Sequence, residues 1–528
     1  MTKFYRNITK IISVILFFTL LINTSCKFDD SFLKNKIEEL QNQNDSLNTK
    51  IEHLTAEYES LLQEQACAIK SFVFRRADNS QQLNQDVYGV IHSTKIFVQI
   101  PNICSDKNLK PTIELASPQQ QIVDGKESYD FSKPVTITVA DIDGQLKEYT
   151  VDVISFTGLP ILSIKTADSA PIESKENYLD ATYTLSGDAI TTTLTGSVQI
   201  RGRGNSTWYM PKKPYQIKFD KKTSLFGWPQ GKVFVLLANY ADKSKVRTST
   251  AFAMSESTSL EWTPRSEFVE LIINDVYLGT YQLCEKIKTD KNRVNVGNNG
   301  YILEVDQPDR LDEGDVFFNT TRLLVNIKEP ELSEGDAAYQ LIKDYVNNVE
   351  NVLYSNYFLD SEMGYKRYID IQSFVDWYLV NEITKNNDAV FYSSVYMNKT
   401  IDGKLKMGPV WDFDISLGNV NYNSNWDYQG FWIKNAPWIS RMFEDPEFVQ
   451  LVKERYSVLY NDRNRIIGHI AEKADHLKYS VIEDNNKWQT LYNATWPNYA
   501  IMGNYDNEVQ YLKDWLLKRM DWLNTALQ

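Results

Sequence analysis

The chain has 528 residues, enough for about three or four domains of roughly 150 residues each. A composition of 42% hydrophobic, 13% aromatic and 24% charged residues excludes a wholly disordered or collagen-like chain. The formal charge of −13 excludes the broad basic face that nucleic-acid binding needs, so no nucleic-acid partner is expected.

The 4 histidines are His53, His92, His469 and His476. The long segment between His92 and His469 therefore has no imidazole, which excludes Ser-His-Asp, Cys-His and His-rich zinc chemistry there. The 4 cysteines, Cys26, Cys67, Cys104 and Cys284, lack zinc-ligand spacing. Cys67 and Cys104 either bridge or stay as buried thiols.

Lys3, Arg6 and Lys10 precede an uncharged, mostly apolar run over residues 11–22, then Asn23-Thr24-Ser25-Cys26. The run is short for a membrane span and suits a signal-peptide core. Small residues before a Cys resemble a bacterial lipoprotein signal, although Asn23 stands where Leu is usual. Residues 1–26 are expected to be that signal, with Cys26 lipidated. The rest would then lie outside the cytoplasm, lipid-anchored to the outer membrane or cell surface.

Leu33, Leu40, Leu47, Leu54 and Leu61 recur every seventh residue, with Ile37, Asn44, Ile51 and Tyr58 at the alternate seam positions. That heptad pattern predicts a coiled-coil stalk over residues 27–66 and a homo-oligomer, Asn44 fixing its register. From residue 67 to 156 the period changes to two. Val135, Ile137 and Val139 alternate with threonines, a turn follows at Asp141–Gly144, and Tyr149, Val151 and Val153 alternate again. This predicts a hairpin within a small all-β, immunoglobulin-like sandwich.

After a linker near Gly158-Leu159-Pro160 the pattern becomes mixed α and β, and residues 157–528 carry the candidate chemistry. Arg201-Gly202-Arg203-Gly204-Asn205-Ser206-Thr207 forms a Gly-rich turn after a strand, with backbone N–H groups and arginine forks suited to phosphate oxygens. Taken alone, such a loop is equally a solvated turn. Trp411-Asp412-Phe413-Asp414 places two acids on one face if the segment is extended, with aromatics on the other. Two such carboxylates repel unless a cation lies between them. Asp388 precedes Asp412 by 412 − 388 = 24 residues, after a helical pattern through Phe374, Tyr378 and Leu379. A base followed at this range by a metal-binding Asp is the layout of a phosphoryl-transfer site.

Those stretches, with Lys212-Lys213-Pro214-Tyr215, Leu236-Leu237-Ala238-Asn239-Tyr240-Ala241-Asp242-Lys243, Gly279-Thr280-Tyr281-Gln282-Leu283 and Glu285-Lys286-Ile287, resemble the spore-coat protein H (CotH) kinase-like family. The resemblance implies a two-lobed α+β atypical protein-kinase-like domain that transfers phosphate from ATP, with Mg²⁺ or Mn²⁺, to Ser or Thr of a protein acceptor. It implies Asp388 as catalytic base, and Asp412 and Asp414 as metal ligands. It further implies Arg201, Arg203 and Ser206 in the phosphate loop, Lys213 or Lys218 on the ATP phosphates, and Glu285 near the nucleotide. ATP is scarce outside the cytoplasm. The alternative is therefore a non-catalytic surface protein on the same fold, binding a glycan or protein, and the aromatics around Trp426–Trp438 accord with glycan stacking.

Overall fold

The computed structural model describes residues 30–65, 67–83, 86–101, 106–186 and 193–528. The signal segment, Cys26 and Cys104 lie outside them. Helix α1 (Asp30–Gln65) runs within the boundaries the heptads predict. Its seam residues Ile37, Leu40, Leu47, Ile51 and Leu54 are exposed rather than packed on the body.

The small β-module comprises a sheet of strands Ile69–Phe74, Val87–Tyr88 and Pro111–Leu115 and a five-stranded sheet. In the latter, Leu146–Phe156 pairs antiparallel with Val135–Ala140, as the alternation predicts, and parallel with Lys95–Pro101. Both sheets share one core, in which Phe72, Phe74 and Phe131 meet edge to face. Each such ring pair adds about 0.5–1.5 kcal/mol beyond burial of its area. Cys67 is buried here and its Sγ donates to the Gln145 carbonyl at 3.1 Å.

The linker is shorter and more embedded than the sequence implies. Strand Leu146–Phe156 reaches its start and the next strand begins at Ile161. Within it Thr157 and Leu159 are buried, and the Thr157 hydroxyl donates to Glu270 at 2.6 Å.

The first lobe is a closed barrel. Its strands are β1 (Ile161–Thr166), β2 (Leu179–Ser186), β3 (Leu194–Gly202), β4 (Tyr215–Thr223), β5 (Gly231–Leu237), β6 (Ser266–Ile273) and β7 (Val276–Glu285), in the order β1-β2-β3-β4-β5-β7-β6. Closure comes from β1 pairing parallel to β6, Ile161 opposite Glu270. Alternation sends Ile164, Ile200, Ile217, Phe219 and Leu283 inward, filling the interior as a small barrel requires. The outward Val235, Phe268 and Cys284 join the core of the second lobe instead.

That second lobe surrounds a sheet in the order β9-β10-β8-β11-β12, from β8 (Tyr301–Asp306), β9 (Phe317–Asn319), β10 (Leu324–Glu329), β11 (Val395–Lys399) and β12 (Lys406–Met407). Helix α2 (Arg247–Ser255) bridges it to the barrel. Around it lie α3 (Ala337–Leu353), α4 (Ile371–Thr384), α5 (Pro437–Met442), α6 (Pro446–Asn461), α7 (Arg463–Trp488) and α8 (Tyr505–Ala526). Every residue of α4 from Ser373 to Thr384 is buried, the mark of a central helix. Asp370 caps its start, accepting from the Ser373 amide at 2.9 Å. In α8, Val509, Leu512, Leu516 and Leu523 face the core as the sequence predicts. Among the described residues no helix is long and apolar enough to cross a membrane.

Candidate active site

The loop after β3 is shaped by its glycines. A Cβ at Gly202 would strike the Trp208 indole. Gly204 sits at φ +87°, where a side chain is strained and a Cβ would meet the Thr207 hydroxyl. Folded over the buried Trp208, the loop sets the Arg203 guanidinium 5.8 Å from the ring centroid of Trp411. A cavity of about 50 Å³ lies between this loop and the acids, lined by Arg203, Thr207, Lys212, Asn239, Asp412 and Asp414 among others. The far-apart Gly-rich and Trp-Asp-Phe-Asp segments therefore face one cleft.

Asp388 follows α4 through a tightly bonded turn. Lys385 ends the helix in the left-handed region and donates to the carbonyls of Asp427, at 2.9 Å, and Gln429, at 2.6 Å. Asn386 reaches the Trp411 carbonyl at 3.3 Å, and the Asn387 amide donates to Asp388 at 2.9 Å. Burial, then the charge of Asp412, push the Asp388 carboxyl up to about 6.

The acid pair departs from the extended geometry expected. Asp412 is not in a strand and has φ +65°. The left-handed backbone is tolerated by Asp at a modest cost in strain, of the kind found at functional sites. It opens to solvent at the cleft mouth, while Trp411 and Phe413 pack on Phe252 of α2. Enclosure by the surrounding protein raises the Asp412 carboxyl, and Arg203 opposes that rise. Asp414 is pushed well up by burial and by the charges of Asp412, Asp388 and Asp242. Carboxylates that oppose each other's ionisation favour a cation between them. Among the described residues no three His, Cys, Asp or Glu side chains converge to hold a metal unaided. The donors at Asp412 and Asp414 are hard oxygens only. They fit Mg²⁺ or Mn²⁺ whose other ligands are water and phosphate oxygens.

The basic wall differs from the expected one. Lys213 donates to the Trp208 carbonyl at 2.7 Å and props the loop. Lys218 lies 5.6 Å from the Tyr178 ring centroid, and Arg201 lies 4.7 Å from the same ring while donating to the Glu176 carbonyl. Ser206 is exposed. Neither expected lysine lines the cavity; Lys212 does. Its ammonium is buried, donates to the Thr280 carbonyl at 2.6 Å and pairs with Asp484 of α7, which also pairs with Lys245 at 2.8 Å. Burial pushes Lys212 down to about 8. Glu285 turns away from the cleft into ion pairs with Arg265 at 3.0 Å and Arg293 at 3.4 Å. Burial, then the charges of Arg201 and Arg203, push its neighbour Lys286 down to about 8. Among the described residues no carboxylate lies within ion-pair distance of Lys286.

Two further groups had no local sequence signal. Arg310, on a short turn after β8, opposes the upward shift of both the Asp388 and the Asp412 carboxyls. Tyr422 is hydrogen-bonded to Asn387 at 2.6 Å.

Residues 79–153 match the family model described as SGBP, N-terminal. No curated protein matches the chain. Among solved structures, one from Bacteroides thetaiotaomicron provisionally described as a glycoside hydrolase aligns at 16% identity and TM-score 0.16. It covers 28% of this chain and 47% of its own, so this chain spans about half its length, and so weak a likeness carries no argument. Residues 200–523, more than half of the chain, match the model described as CotH kinase protein. The barrel loop, the acid pair and the helices behind them all fall within that match, and the chain belongs to the CotH kinase family.

Proposed function

We propose that this chain is a metal-dependent phosphotransferase that moves the γ-phosphate of ATP to the hydroxyl of a Ser or Thr in a protein acceptor. The supporting observation is that Arg203 faces Asp412 and Asp414 across one cavity, with Asp388 close enough that its charge acts on Asp414. Arg203 and Lys286 hold phosphate oxygens, and the Gly-rich loop closes over them. Asp412 and Asp414 would hold Mg²⁺ or Mn²⁺, which when bound offsets phosphate charge. Asp388, with its carboxyl near 6, is mostly ionised at neutral pH and still a competent base. The acceptor oxygen bonds to the γ-phosphorus as its proton passes to Asp388. The bond from that phosphorus to the bridging oxygen breaks, and ADP leaves with the electron pair.

The reading extends to the rest of the chain. The basic start, apolar run and Ser25-Cys26 support export and lipidation at Cys26. The exposed seam of α1 supports a homo-oligomeric coiled coil. The β-module, immunoglobulin-like in this reading, spaces the cleft from the membrane.

Two substitutions test the site. Asp412→Asn should weaken both metal-dependent ATP binding and transfer. Asp388→Asn should leave binding intact and slow transfer by about 10²–10⁴-fold. Calorimetry reads binding, labelled γ-phosphate reads transfer, and both variants must melt near wild type without nucleotide. Wild type that binds no ATP with either metal would sink the kinase reading and leave the surface-binding alternative.

A further inference from the structure

A surface of exposed aromatic rings adjoins Asp388. The Asn387 amide that donates to Asp388 at 2.9 Å also donates to the Tyr422 hydroxyl at 2.6 Å. Two stacked pairs of aromatic rings lie on the two segments that flank this contact. Tyr422 stacks on Trp496, with centroids 5.8 Å apart and planes at 16°. Trp426 stacks on Tyr499, at 4.5 Å and 2°. These four are exposed by 49%, 55%, 39% and 44% respectively. Large aromatic rings are costly to leave in water, and a contiguous exposed group marks a binding surface.

The surroundings narrow the occupant. Residues 415–426 and 488–505 supply all four rings and contain no Asp, Glu, Lys or Arg, in a chain that is 24% charged. What they add is amide: Asn421 and Asn493 are exposed on the same two segments. The segments themselves carry no ionic partner for a charged peptide; charge enters at their border, where Asp388, Asp414 and Arg310 act on Tyr422. A neutral sugar suits them, because the C–H face of its ring packs flat on an aromatic and amides both donate to and accept from its hydroxyls. The surface is also held in place. The Trp515 indole donates to the Trp426 carbonyl at 2.8 Å, and Asn498 ties the second segment to Asn419 of the first at 2.7 Å. Rings already fixed lose little freedom on binding.

We infer that this surface is the acceptor-docking subsite and that it binds a neutral saccharide carried by the acceptor. The docking role rests on the phosphotransfer reading; the saccharide chemistry rests on the surface itself. The test titrates the full-length chain, without nucleotide, with maltohexaose, cellohexaose, xylohexaose and mannohexaose, and with an unglycosylated Ser/Thr-rich peptide. Saturation-transfer NMR and calorimetry read binding. At least one oligosaccharide should bind. Trp496→Ala and Trp426→Ala should each weaken it by about tenfold or more. Trp496→Phe should restore it, and Asp412→Asn should leave it unchanged. The inference is overturned if no oligosaccharide binds or if binding survives both alanine variants. It is equally overturned if only the peptide binds there, or if Trp496→Ala abolishes ATP binding while no sugar binds. Separate ATP titrations of wild type keep the two readings distinguishable: sugar binding without ATP binding removes the kinase and acceptor-docking roles and leaves the saccharide site.

Discussion

At Lys286 an ammonium is held beside Arg201 and Arg203 with burial pushing it down to about 8. The arrangement is unfavourable in the nucleotide-free protein, and if the site holds phosphate as proposed, stability is traded for binding there. Lys286→Met should therefore raise the thermal stability of the nucleotide-free protein at pH 7, by on the order of 1–2 kcal/mol once solvent screening is allowed for, and weaken ATP binding. The unfolded chain holds this proton more tightly than the folded one. Wild-type stability is thus lowest, in this respect, below pH 8, and recovers as pH rises through about 8 toward the unfolded value. Its deficit against the Met variant should shrink over that range in melts taken from pH 7 to 9.5, and a deficit that widens instead would refute the assignment. The motif Glu285-Lys286-Ile287 was legible in the sequence, but that Glu285 turns into ion pairs with Arg265 and Arg293 was not. Strand alternation puts Glu285 and Lys286 on opposite faces, and only the positions of Arg265, Arg293 and Arg203 decide which face is the cleft. That Asp388, Asp412 and Asp414 lie close together was suggested by the 24-residue spacing and the Trp-Asp-Phe-Asp run. The left-handed backbone at Asp412 was not, since nothing local to Trp411–Phe413 demands it.

Among the elements, those with a local period were readable. The hairpin of β6 and β7 turns at Asn274-Asp275, both in the left-handed region, and α4 and α8 follow their apolar spacing. The barrel was not readable. Its closing pair joins β1 to β6 across about a hundred residues, and a parallel pairing at that range leaves no periodic trace. Helix α1 leaves its apolar seam exposed, and in the proposed coiled coil its partner is a second copy of the chain. Each seam side chain gains roughly 1.5–3 kcal/mol on full burial, and a second copy of the same seam offers that burial. Deleting residues 31–65 should convert an oligomer into a monomer in sedimentation velocity, with the melt of the remainder unchanged. A full-length chain that sediments as a monomer at micromolar concentration would contradict this.

For the molecule as a whole, the β-module is docked on the barrel: Phe97 packs on Ile161, Ile272 and Tyr277, and Lys107 pairs with Glu483 at 3.6 Å. If Cys26 carries the lipid, this docking holds the cleft at a set attitude on the stalk. Cys26→Ala should then shift the protein from the membrane fraction to the soluble one. Persistence in the membrane, together with an unlipidated mass for wild type, would rule the anchor out. The Lys212–Asp484 pair has a further consequence, one of timing. It joins positions 272 residues apart, and the Lys243 ammonium likewise depends on the carbonyl of Asn493. A growing or partly exported chain has the loop and its lysines long before it has α7. Until then a buried Lys212 would lack its counter-charge, a state that costs several kcal/mol. The cleft therefore completes only once α7 is in place, and, if the chain is exported as proposed, it would not bind ATP before it has fully crossed.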